Sequence, residues 1–121
     1  MKYRFEEEEI SKGHYILKMY LEDVPTLDGS KLGLEELFDG DLYGCTDYLI
    51  DRIRDVLSGK SEKIDTGSNI FWFTITPDKT SFECIFEWHN WNFTISTQVL
   101  LEIATTWNNR LKEFCKKYKI R

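Results

Sequence analysis

Between residues 70 and 118 the chain alternates and then changes period. Phe71, Phe73 and Ile75 alternate with Ile70, Trp72 and Thr74; Phe82, Cys84, Phe86 and Trp88 alternate with Glu83, Ile85 and Glu87; Trp91, Phe93 and Ile95 continue the pattern. A period of two belongs to strands whose side chains point to opposite faces. From Ser96 the spacing becomes three and four, and Leu100, Ile103, Trp107, Leu111 and Phe114 form one stripe, the mark of a helix buried on one side. Pro77-Asp78-Lys79-Thr80 divides the first two runs, with Pro in a favoured turn position. The stretch therefore predicts a hairpin Ile70–Thr76 / Phe82–Trp88, a third short strand, and a helix Ser96–Tyr118 laid across them.

The rest of the chain extends this pattern. Tyr3–Glu9 and His14–Leu21 read as a second hairpin turning at Ser11-Lys12-Gly13, where Gly supplies the positive φ such turns need. Glu22–Gly33 holds Pro25, Gly29 and Gly33 and reads as a connection. Leu34–Phe38 suits one helical turn. Asp41–Ser58 reads as a helix whose buried face is Leu42, Cys45, Leu49, Ile53, Val56 and Leu57, with Gly59 as its C-terminal cap. Gly59–Asn69 reads as a loop with room for a short strand around Ile64. The expected fold is one α+β domain over residues 1–121: an antiparallel sheet of about five strands, two main helices on one face, order ββαβββα.

The core is affordable at this size. Aromatic residues make up 15% of the 121 and apolar residues 41%, and each buried aromatic removes about 150–250 Å² from water. The formal net charge of −5 disfavours nucleic acid and anionic membranes and favours a basic protein. No apolar run approaches the roughly 20 residues of a membrane span. The N-terminus MKYRFEEEE lacks the apolar core of a secretory signal. Cys45, Cys84 and Cys115 are odd in number and widely spaced, which suits a reducing compartment, so the cytoplasm is expected.

Catalytic and metal chemistry find little to stand on. His14 and His89 are the only histidines. Cys84 and His89 lie five apart beside Glu87, but an activated thiolate needs its base in contact and a third group to orient it. Cys84 falls on a core-facing strand position, where a small apolar residue is the simpler reading. No Cys/His set has zinc spacing. The expectation is therefore no enzyme, no cofactor and no metal.

Two surfaces suit a protein partner instead. Asp47, Asp51 and Asp55, four apart on the first main helix, form an acidic stripe that could meet a row of Lys or Arg. The plainer reading is a solvated helix face, since like charges at this spacing cost only about a few tenths of a kcal/mol. The second surface is the sheet. If the helices cover Phe71, Phe73, Phe82 and Phe86, then Trp72, Glu83, Ile85 and Glu87 point outward, and a Trp ringed by carboxylates makes a protein-binding patch. The plainer reading is that the other face is the inner one, or that a loop covers this one, since periodicity separates the faces without saying which is inside. The run Glu6–Glu9 reads as a contact for a basic partner or, more simply, as a charged edge that discourages aggregation.

Several segments carry a resemblance. They are the run from Cys45-Thr46-Asp47-Tyr48-Leu49 through Ile53-Arg54-Asp55-Val56-Leu57-Ser58-Gly59, then Thr66-Gly67-Ser68-Asn69, then Thr74-Ile75-Thr76-Pro77-Asp78-Lys79-Thr80, and finally Ser96-Thr97-Gln98 with Trp107. Over roughly residues 40–115 the chain resembles the small immunity proteins of bacterial contact-dependent growth inhibition and related polymorphic toxin systems. The motifs are packing and turn motifs with no catalytic signature. The resemblance implies a cytoplasmic protein that binds the C-terminal toxic domain of an effector and blocks it, a nuclease being the expected target. A basic nuclease suits an acidic inhibitor. No binding residue is carried over by resemblance. The alternative is a small ligand-binding or accessory-subunit domain without catalysis.

Overall fold

A computed structural model describes residues 1–86 and 90–120. Its elements run β1 (Lys2–Ser11), β2 (His14–Glu22), β3 (Thr26–Gly29), α1 (Lys31–Glu36), a π-helical turn (Leu37–Asp41), α2 (Thr46–Leu57), β4 (Ile64–Gly67), β5 (Phe71–Ile75), β6 (Lys79–Cys84), β7 (Phe93–Ser96) and α3 (Thr97–Tyr118). The fold is α+β. An antiparallel five-stranded sheet has the order β3-β7-β6-β5-β4, and β1 and β2 form a separate two-stranded sheet.

The composition of the main sheet differs from the sequence expectation. Its strands come entirely from residues 26–96; the edge β4 is the short strand for which the Gly59–Asn69 loop leaves room around Ile64, and the edge β3 lies in a segment that reads as a connection. Each is only four residues long, too short to display a period. The N-terminal hairpin pairs with itself, in register Tyr3↔Leu21 through Glu9↔Tyr15. β6 begins at Lys79 and stops at Cys84, so its turn is tighter than expected: the Thr76 N–H donates to the Lys79 carbonyl at 3.0 Å. Trp88, Glu87 and His89 lie outside the described residues.

Alternation decides the core. Phe71, Phe73, Ile75, Phe82, Phe93 and Ile95 all point to one face and are buried, with Phe73 opposite Phe82 and Phe82 opposite Phe93. Their rings meet at 4.7 and 4.5 Å between centroids. On that face lie α2 and α3. The α3 stripe of Leu100, Ile103, Trp107, Leu111 and Phe114 is buried as its spacing requires. Ser96 caps this helix through its hydroxyl, which accepts from the Val99 N–H. α2 begins later than expected, because the chain first completes the π-helical turn. Cys45, expected in the core, is exposed at its start.

The hairpin closes the other side of the helices. Tyr3, Phe5, Leu17, Met19 and Leu21 share its inner face; Leu17, Met19 and Leu21 are fully buried, and Phe5 stacks on Trp107 at 6.5 Å. Glu7 pins the hairpin to the end of α3, accepting from Arg110 at 3.0 Å, Lys117 at 2.7 Å and the Tyr118 hydroxyl at 2.7 Å. Its side chain is 18% exposed. The Lys117, Tyr118 and Arg110 donors, in that order, hold the carboxyl down at about 2.

The free edge of β2 is sealed by side chains in place of a strand. The Leu17 N–H donates to the Tyr43 hydroxyl at 2.8 Å, the Met19 N–H to the Asp39 carboxylate, and the Leu21 N–H to Glu35 at 2.7 Å. The spacing explains the match. Residues two apart on a strand are about 6.8 Å apart, and residues four apart on a helix rise about 6.0 Å. Glu35, Asp39 and Tyr43 therefore step along a helical path in register with alternate strand donors. Burial is the main cause that lifts the Asp39 carboxyl to about 6, against a lowering by the Met19 N–H; Glu36 and Glu35 add to the rise.

Candidate functional site

Among the described residues, no helix or second sheet packs on the opposite face of the five-stranded sheet. Trp72 and Glu83 sit there directly across from each other on β5 and β6. Trp72 is 49% exposed and Glu83 is exposed. The Trp72 indole lies beside Gly67 of β4, its partner in the pairing. A Cβ on Gly67 would come within 3.1 Å of Trp72 Cε3, so glycine lets the ring settle over the edge strand. Thr74 donates to Asp65 at 3.0 Å, placing a second carboxylate on this face.

Beyond Glu83 the face dips into a concavity of about 390 Å³, lined on the β6, β7 and β3 side by Ser81, Glu83, Asn92, Thr94 and Asp28. Its rim is built tightly. Asn92 Oδ1 accepts from the Cys84 N–H at 2.7 Å, and its carbonyl accepts from the Ser30 N–H at 2.9 Å. Gly29, at φ +106°, passes so close that a Cβ would lie 2.0 Å from the Asn92 oxygen. Only glycine fits there. The lining is polar and acidic, and it suits a cationic group.

The sequence-derived candidates divide. Trp72 and Glu83 come together on the open face; Glu87 lies outside the described residues. Asp47, Asp51 and Asp55 share one side of α2, but two of them are engaged. Asp47 accepts from Asn108 of α3 at 2.8 Å. Asp55 pairs with Arg52 at 3.4 Å and Lys60 at 3.9 Å. Among the described residues only Asp51 of the three has no ion pair or hydrogen bond. Sequence reading missed Asp28 and Asn92. Asp28 precedes Gly29, and the Asp-Gly pair reads as a loop unless its partner strand is known.

Cys84 ends β6 half-buried, and all three cysteines are free thiols. His89 lies outside the described residues. Among the described residues no three His, Cys, Asp or Glu side chains converge as metal ligands do, and no helix is long and apolar enough to cross a membrane. Comparison of the chain with protein families, with curated proteins and with solved structures finds no match.

Proposed function

We propose that this protein is an immunity-type inhibitor that binds a basic toxin domain, a nuclease being the expected class, through the open face of its main sheet, and that it works in the cytoplasm as a stoichiometric blocker without catalysis. One observation carries the reading. Trp72, a large amphipathic ring, stands half-exposed on the sheet face turned away from the helices, opposite Glu83 and near Asp65. Tryptophan is the residue type most enriched at binding hot spots, and carboxylates around it favour Lys and Arg on the partner while steering its approach.

Size refines the proposal. Five strands about 4.8 Å apart span roughly 20 Å, and four or five residues along them add about 15 Å. The projected area is thus roughly 300 Å², against about 800 Å² per partner in a stable complex. The toxin has to reach the rim, where Leu27 and Ile85 are 64% and 55% exposed. The α2 stripe is the weaker candidate, because Asp47 and Asp55 already have partners within the chain. The test is isothermal titration against the C-terminal domain of the toxin encoded upstream. A tight one-to-one complex, weakened by Glu83→Lys, supports the reading. Absence of such a toxin, or of any binding to it, overturns it.

A further inference from the structure

The strand edges of this molecule are treated unequally. β3 and β4, the edges of the main sheet, are four residues long. The β2 edge is sealed by Tyr43, Asp39 and Glu35. β1 is ten residues long, and among the described residues it has β2 as its sole strand neighbour and no hydrogen bond to its outer backbone groups. A long unpaired edge is a template for another strand.

The pairing phase says which groups are free. In an antiparallel ladder, hydrogen-bonded and non-bonded pairs alternate. Leu17, Met19 and Leu21 send their N–H groups away from β1, so their partners Glu7, Phe5 and Tyr3 do likewise on the other side. An incoming antiparallel strand must therefore set its own outward residues opposite Tyr3, Phe5 and Glu7.

Charge then selects the strand. On the outer face of β1, Lys2 and Arg4 come first and Glu6 and Glu8 follow. A uniformly basic strand would repel the first half. The antiparallel image of β1 itself complements both halves. We propose that β1 pairs with β1 of a second copy, antiparallel, with Phe5 opposite Phe5 on the two-fold axis. This register sets Lys2 against Glu8 and Arg4 against Glu6 in both directions. A shift one way sets Arg4 against Arg4; a shift the other way sets Glu6 against Glu6. The backbone pairs are Tyr3 with Glu7, Phe5 with Phe5 and Glu7 with Tyr3, and the two hairpins become one four-stranded sheet. Opposite charges facing each other across strands stabilise, and like charges destabilise. Within one copy Arg4 already contacts Glu6 and lies 4.1 Å from the Tyr20 ring centroid, which holds its guanidinium on the outer face where the second copy meets it. The open face of the main sheet is not used, so this inference stands apart from the toxin-binding reading.

Sedimentation velocity across a concentration series tests it. Wild type is expected at twice the 14.4 kDa chain mass. Arg4→Glu alone places Glu against Glu6, and Glu6→Arg alone places Arg against Arg4, each twice by symmetry. Each should weaken dimerisation about tenfold or more. An equimolar mixture of the two variants restores opposite charges at both positions and should dimerise again, as should the double variant Arg4→Glu/Glu6→Arg. These positions are solvent-facing, and thermal unfolding checks that each variant folds. A wild type that stays monomeric at millimolar concentration overturns the proposal. So does a dimer indifferent to both single changes, or a mixture that fails to re-pair.

Discussion

Trp72 and Phe73 are neighbours in sequence and lie on opposite sides of one sheet. Phe73 is fully buried between Phe82 and the helices, while Trp72 stands half-exposed above Gly67. The same strands serve both sides, since a strand offers alternate residues to each. The covered side is apolar and rich in Phe, held mainly by packing, with the buried Thr80 bonded to Thr97 at the start of α3. The open side mixes one large ring with Glu83, Asp65, Thr74, Ser81 and Thr94. The Phe residues of the covered side belong to the core. An exposed Trp contributes little to it, and that is what makes the open side the candidate for recognition.

The largest expected effect sharpens the contrast from the covered side. Phe73→Ala should destabilise by about 3–5 kcal/mol, the range for deleting a buried aromatic. Denaturant unfolding measures it, and a loss below about 1 kcal/mol would mean that the covered side is not packed as described. Next, Glu83→Lys reverses the charge opposite Trp72. It should weaken toxin binding by about 2 kcal/mol or more while leaving the unfolding midpoint near wild type.

Titration probes the N-terminal hairpin instead, through Asp39 at its β2 edge and Glu7 at its contact with α3. Asp39 moves from 3.8 unfolded to about 6 folded. The folded state thus prefers the proton, and this group's cost is full above pH 6 and gone below about 3.8. Its contribution makes stability rise as pH falls from 7 towards 4. The full shift would amount to about 3 kcal/mol, and partial solvent exposure reduces it to about 1. Asp39→Asn, which keeps an acceptor for the Met19 N–H, should therefore stabilise by about 1 kcal/mol at pH 7 and by little at pH 4. Glu7 runs the other way. Its carboxyl falls from 4.5 to about 2, so its contribution is present above 4.5 and lost as pH drops towards 2. A thermal melt series should peak between about pH 4 and 6; Glu7→Gln should flatten the acid side and Asp39→Asn the neutral side. Neither change should alter toxin affinity.

The smallest effect belongs to α2. Asp47→Asn, Asp51→Asn and Asp55→Asn together should change toxin affinity by less than about 0.5 kcal/mol, since surface changes away from an interface are usually that small. A large loss in titration would move the interface from the sheet to the helix.

What could be read in the sequence follows from length and period. The aromatic runs from Phe71 and Phe82 and the α3 stripe were readable because each repeats often enough to define a face. β3 was not, because four residues ending in Gly29 carry no period, and β4 showed only as room for a short strand around Ile64. The separation of the β1–β2 hairpin was hidden because periodicity names a strand's faces but not its partner. Its sealed edge depends on Glu35, Asp39 and Tyr43 matching the donors of a strand far away in sequence, which no local pattern encodes. Trp72 and Glu83 stand out in the sequence by their alternation with Phe73 and Phe82; the structure supplies the inside and the outside.

The most direct test replaces Trp72 with Ala and measures two quantities on the same preparation: denaturant stability, and affinity by titration for the C-terminal domain of the upstream toxin. The account predicts stability within about 1 kcal/mol of wild type, and a binding loss of at least about 2 kcal/mol, roughly thirtyfold. Unchanged affinity with a large loss of stability would contradict it, for Trp72 would then belong to the core and the open face to nothing in particular.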